Sequence, residues 1–126
     1  MKLEFLPDGS RDCPLIRLYS FDTSEAVRLR DLVDSLASGS ATSASLHKQP
    51  WIEPIIGCEL DLCVGKHAQG IKQLSSLKFK CVLGDEEWAD IAGLLEPFCE
   101  SDNRGAYQWL IKQGKVSFLL SSSGTW

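Results

Sequence analysis

A chain of 126 residues with 44% apolar and 24% charged side chains sits at globular averages, which excludes wholesale disorder and suits one domain, since domains cluster at about 100–150 residues. A net charge of −4 and a pI near 5.1 argue against a general nucleic-acid binder or a protein held to anionic lipid by charge. No apolar run approaches the ~20 residues of a spanning helix and Glu4 interrupts any signal-peptide core, so the expectation is a cytoplasmic protein without membrane contact.

In chain order, Lys2 to Leu6 reads as a short strand, followed by the turn Pro7-Asp8-Gly9 and a second strand from Leu15 to Phe21. Pro14 cannot donate to a ladder and is expected at an edge or in the connection. Asp22-Thr23-Ser24-Glu25 offers a capping box, and Ala26, Leu29, Leu32, Val33 and Leu36 form a helical stripe that Gly39 ends. A small-residue stretch near positions 38–50 reads as a flexible connection within the single domain 1–126. The apolar Trp51-Ile52 and Ile55-Ile56 pieces that follow suggest either a segment tucked on the core or a recognition loop presenting Trp51.

Cys58, Leu60, Leu62 and Val64 alternate with Glu59, Asp61 and Cys63, the period of a half-buried strand. Leu77 to Leu83 alternates likewise, with Lys78 and Lys80 outward, and antiparallel pairing of the two strands would set Asp61 opposite Lys80 or Lys78. Asp85, Glu86 and Glu87 then open an amphipathic helix through Trp88, Ile91, Ala92 and Leu95, which Pro97 is expected to stop or kink near Leu95. Ser101-Asp102-Asn103 suits the cap of a further helix through Tyr107, Leu110 and Ile111 to Gly114, with Trp109 off its apolar stripe. Lys115 to Leu120 alternates again as a late strand, and Ser121 to Ser123 read as a terminal turn.

These elements predict an α+β domain, an antiparallel sheet of four or five strands with two or three helices packed on one face. The order strand, strand, acid-capped helix occurs twice, and Glu25, Leu29, Leu32 and Val33 can be aligned with Glu87, Ile91, Leu94 and Leu95. This ββα likeness is one of pattern and leaves internal duplication open.

Chemical motifs fail one by one. Gly65-Lys66 follows a strand as in a phosphate loop, but the first required glycine falls on Leu60 and the hydroxyl position on His67; no dinucleotide fingerprint or nucleophile elbow occurs. Cys58, Cys63 and His67 are residue types zinc accepts, yet the two cysteines are an odd number apart on one strand, and no metal or cofactor is expected. Five cysteines, an odd number without a compact framework, suit a reducing compartment. Two histidines do not define a Cys–His nucleophile, and Glu86, Glu87 and Asp90 are explained by the helix N-terminus without a catalytic role, so the reading leans away from an enzyme. Tyr107, Trp109 and Trp126 have only Arg104 nearby in sequence, which disfavours nucleic acid.

What remains is segregated charge. Lys66, Lys72, Lys78 and Lys80 stand between Leu62 and Gly84 without a carboxylate, and seven carboxylates stand between Asp85 and Asn103 without a Lys or Arg. Such asymmetry arises from a basic sheet face beside an acid-capped helix, or from a surface that meets a partner. The expected function is a non-enzymatic protein-binding or assembly module, with a protein partner or a second copy meeting Trp51, Lys78, Lys80, Glu87, Asp90 and Trp109. The alternative is a small-molecule binder or minor enzyme with a pocket near the Trp51 loop.

Overall fold

The computed structural model describes residues 1–100, 105–112 and 114–126. Strands β1 (Lys2–Leu6) and β2 (Leu15–Tyr19) form the expected antiparallel hairpin, with Leu3 opposite Leu18 and Phe5 opposite Ile16. Helix α1 (Thr23–Ser38) carries the full capping box: the Asp22 carboxylate accepts from the Glu25 amide and the Glu25 side chain returns to the Asp22 amide. It ends where Gly39 takes φ 82°, a left-handed conformation that favours glycine. Within the small-residue stretch, Ser43–Ser45 forms β3, and β4 (Glu53–Pro54) follows the turn around Trp51. Then come β5 (Glu59–Val64), β6 (Gly70–Ser75), β7 (Lys78–Leu83), α2 (Asp85–Glu100), β8 (Tyr107–Ile111) and β9 (Ser117–Ser121).

The class is α+β, with two mixed sheets in place of the single antiparallel sheet expected. One sheet has the order β4-β1-β2-β9-β8 and the other β3-β5-β7-β6. Strands β5 and β7 pair in parallel, because β6 enters on the far side of β7 and returns the chain to its original direction. Asp61 still faces Lys80, and Glu59 faces Lys78. Strand β6 carries one buried side chain, Ile71, and so presents almost no alternation to a sequence reader.

Two further expectations are corrected. Helix α2 continues through Pro97 to Glu100. The proline ring sits on the solvent side, the i−4 carbonyl deprived of a donor belongs to exposed Gly93, and buried Phe98 packs its ring 5.9 Å from that of Phe21. The segment read as a last helix is β8, and its proposed cap at Ser101, Asp102 and Asn103 lies outside the described residues, as does Arg104. A bulge between Trp109 and Ile111 explains the misreading: the extra residue brings both Leu110 and Ile111 towards the core, and Tyr107, Leu110 and Ile111 mimic helical spacing.

The two sheets repeat one plan. In each half of the chain, a hairpin precedes a helix, a second hairpin follows it, and that second hairpin joins the sheet begun by the other half. Thus β1-β2 joins β9-β8, and β6-β7 joins β5-β3, with a parallel central pair both times. The equivalence holds residue by residue. Leu3–Leu18–Leu120–Gln108 corresponds to Ile71–Cys81–Leu62–Ala44, and Glu4–Arg17–Leu119–Trp109 to Lys72–Lys80–Asp61–Ser45. The helices match as well: buried Ala26, Leu29, Val33 and Leu36 of α1 correspond to buried Trp88, Ile91, Leu95 and Phe98 of α2. The helices pack on each other, and one apolar cluster joins them to the inner faces of both sheets.

All five cysteines are free. Burial pushes the Cys58 thiol up to about 11 and the Cys81 thiol up to about 12, so both are packing groups rather than thiolate nucleophiles. A raised pKa means that the folded chain holds the thiol proton more tightly than the unfolded chain does. The associated stability is whole below about pH 9 and is lost as pH rises through 11–12. The melting temperature is therefore expected to fall above pH 9, and Cys81→Ala, whatever its cost at neutral pH, should flatten that decline. An unchanged alkaline slope in Cys81→Ala would contradict this assignment.

Candidate functional site

A well-walled cleft runs along the outer side of β6. It has a volume of about 660 Å³ and is lined by Pro14, Gln69–Gln73 and the β8–β9 turn at Gly114, Lys115 and Val116. Its floor is apolar, from buried Ile71 and Val116, and its polar rim consists of the Lys72 and Lys115 amines and the Gln69 and Gln73 amides. No carboxylate among the described residues lines it. Gly70 at φ 72° turns the chain into β6, and Gly114 at φ 104° turns it towards β9, so the two walls are set by conformations that a β-carbon disfavours. As the last strand of its sheet, β6 also turns the backbone N–H and C=O of every second residue away from β7.

Electrostatics reinforce this edge. Lys72 stands directly opposite Lys80, a like-charge pair that opposes the ladder, while the equivalent pair in the other sheet is Glu4 with Arg17. Two acids share the lysine-bearing face, Asp61 opposite Lys80 and Glu59 opposite Lys78, and each has a second partner. The Asp61 carboxylate accepts the Ser45 hydroxyl, and Glu59 lies 3.3 Å from Nε2 of His47. His47 Nδ1 accepts the Leu60 amide at 3.1 Å, so its proton resides on Nε2, facing Glu59. Among the described residues Lys72, Lys78, Lys80 and Lys115 join no ion pair. The described lining of the cleft, with Lys72 and Lys115, is therefore positive in a chain of net charge −4.

No family model, curated protein or solved structure matches the chain. The geometry is thus the whole basis for reading its function.

The residues singled out from sequence are dispersed. Lys78 and Lys80 lie exposed on the same sheet face as Lys72. Glu87 and Asp90 border a separate groove of about 370 Å³ between α2 and β8, floored by Leu83, Ile91, Leu94 and Leu110. Trp109 lies on the outer face of the five-stranded sheet, half-buried beside Leu119, with the Lys112 ammonium 4.9 Å from its ring centre. Trp51 is half-buried against the core, and its carbonyl accepts the Met1 ammonium at 3.1 Å. That ammonium also pairs with Glu25. Cys58 is buried while Cys63 lies half-buried on the alternate face of β5, and no described group of three His, Cys, Asp or Glu residues is placed to hold a metal ion.

Sequence reasoning missed Gln69, Gln73 and Lys115, and used Lys72 only as a member of the basic block. Gly70 and Gly114, each beside a lysine-bearing strand or turn, were the available signals, but nothing in one sequence brings positions 69–73 against 114–116.

Proposed function

We propose that this chain is a non-enzymatic binding module whose β6 cleft receives an acidic segment of a protein partner. One observation carries the reading: a cleft of about 660 Å³ whose ionisable lining among the described residues is Lys72 and Lys115. Neighbouring Lys80 and Lys78 stand exposed on the adjoining sheet face, opposite Asp61 and Glu59. Complementary charge steers association and rejects partners of the same sign, while the apolar floor supplies contact area. The volume lies within the range of ordinary ligand sites, and it is shaped along a strand rather than around a point.

The test uses the full chain and two synthetic peptides, acetyl-(Val-Glu)₄-amide and its charge-reversed twin acetyl-(Val-Lys)₄-amide. The acidic peptide is expected to bind, more weakly as salt rises, and at least ten-fold more weakly to the double variant Lys72→Glu, Lys115→Glu. Glu87→Lys should leave that affinity within two-fold. Equal binding of both peptides, or no effect of the double variant, would remove the reading.

A further inference from the structure

We infer that the segment enters the cleft as an added β-strand running parallel to β6. This rests on the binding reading above and adds to it the mode and direction of recognition. The repeated plan of the two sheets supplies the argument, because the strand equivalent to β6 is β1. On the free side of β1 the chain has already added a strand of its own, β4, in the parallel sense.

The difference between the halves lies in one connection. Between β3 and β5 the chain spends positions 46–58, which is enough to lay β4 beside β1; between β8 and β9 it spends only 112–116. The equivalent place beside β6 is thus left open, and there the cleft lies, walled by Gly114, Lys115 and Val116. Four regular ladder pairs, from Gly70 with Val82 to Gln73 with Phe79, keep β6 straight along the cleft before the bulge near Leu74 bends it. Bulges and edge lysines deter indiscriminate strand pairing. Here the regular stretch remains available, and Lys72 favours an acidic entrant.

Register follows from the same equivalence. Strand β4 sets Glu53 opposite Lys2 and Pro54 opposite Leu3. Lys2 and Leu3 correspond to Gly70 and Ile71, as judged from their partners Tyr19 with Val82 and Leu18 with Cys81. A partner carboxylate opposite Gly70 would therefore share the outer face with Lys72, beside a residue with no side chain to obstruct it. The next residue would lie opposite Ile71 and face the apolar floor.

Amide exchange and paramagnetic broadening on the ¹⁵N-labelled full chain test this with acetyl-(Val-Glu)₄-amide carrying a nitroxide at either end. Strand addition predicts at least ten-fold slower exchange for alternate amides of Gly70–Gln73. The parallel sense predicts broadening of Gln69 and Gly70 by the N-terminal label and of Leu74 and Ser75 by the C-terminal one. The reverse broadening pattern would overturn the direction. Binding that shifts Lys72 and Lys115 but leaves exchange in β6 unchanged would overturn strand addition while the basic-cleft reading stands. Failure of the peptide to bind would overturn both.

Discussion

Trp88→Ala is expected to lower the free energy of unfolding by about 3–5 kcal/mol, the range for truncating a large aromatic in a core. Domains of this size are stable by about 5–15 kcal/mol, so the variant should be largely unfolded at moderate urea and have a far lower melting temperature. Trp88 is fully buried in the first turn of α2, and its indole N–H donates to the Cys63 carbonyl at 3.0 Å. It therefore does two things at once: it fills the space between helix and sheet, and it ties α2 to β5. Trp88→Phe separates them. That variant retains most of the apolar contact and loses the donor, for an expected cost of about 1–2 kcal/mol plus a smaller packing loss. Urea unfolding followed by far-ultraviolet circular dichroism gives both values, and a Trp88→Ala loss below 1.5 kcal/mol would show that the helix is held chiefly by other contacts.

The equivalence of the halves makes the same residue informative about α1. Ala26 occupies the place of Trp88, and Phe98, the counterpart of Leu36, packs its ring on Phe21 just ahead of α1. Duplicate plans thus coexist with different core fillings. This is why the alignment of Glu25, Leu29 and Val33 with Glu87, Ile91 and Leu95 could be drawn from apolar spacing alone, and why identity between the halves was too low to extend it.

Legibility followed the strength of local signals. The capping box of α1, the alternation in β5, β7 and β9 and the stripe of α2 are properties of contiguous residues, and each appeared where expected. Strand β6 escaped because an edge strand with one buried side chain has no period to detect. Strand β8 was misassigned because a single bulge converts a two-residue period into an apparent helical one. Pairing sense and sheet membership were illegible for a different reason: they depend on where later chain segments insert, and the exchange of second hairpins between sheets leaves no trace in local composition. The candidate cleft inherits this difficulty, since Lys72 and Lys115 meet only through that exchange.

Equivalent positions in the two sheets should also differ sharply in what they contribute, and Arg17 and Lys80 provide the comparison. Arg17→Ala is expected to cost about 2–3 kcal/mol, the upper range for hydrogen bonds to charged groups, and to free the segment after β9. Its guanidinium donates through Nε and Nη2 to Glu4 at 2.9 and 2.6 Å, donates through Nη1 to the Gly124 carbonyl, and stacks 4.1 Å from the Tyr19 ring centre. Both ion-pair partners are about one-fifth exposed, so truncation leaves a partly desolvated Glu4 carboxylate without its cation. Gly124 lies against Tyr19 so closely that a β-carbon there would come within 3.0 Å of the ring, and Trp126 is anchored beyond it by its N–H on Asp12. Loss of Arg17 should therefore loosen the chain from Gly124 to Trp126, seen as faster amide exchange and earlier proteolytic trimming. Lys80→Ala, at the equivalent position, removes an exposed side chain with no ion-pair partner among the described residues, and the lost repulsion with Lys72 offsets the lost attraction to Asp61 opposite; its expected effect on stability is within about 0.5 kcal/mol. The acidic peptide should nevertheless bind Lys80→Ala several-fold more weakly, because the lost charge faces the cleft strand. A large stability loss in Lys80→Ala, or an unaltered C-terminal segment in Arg17→Ala, would break the argument that one sheet face is built for internal cohesion and its counterpart left charged for a partner.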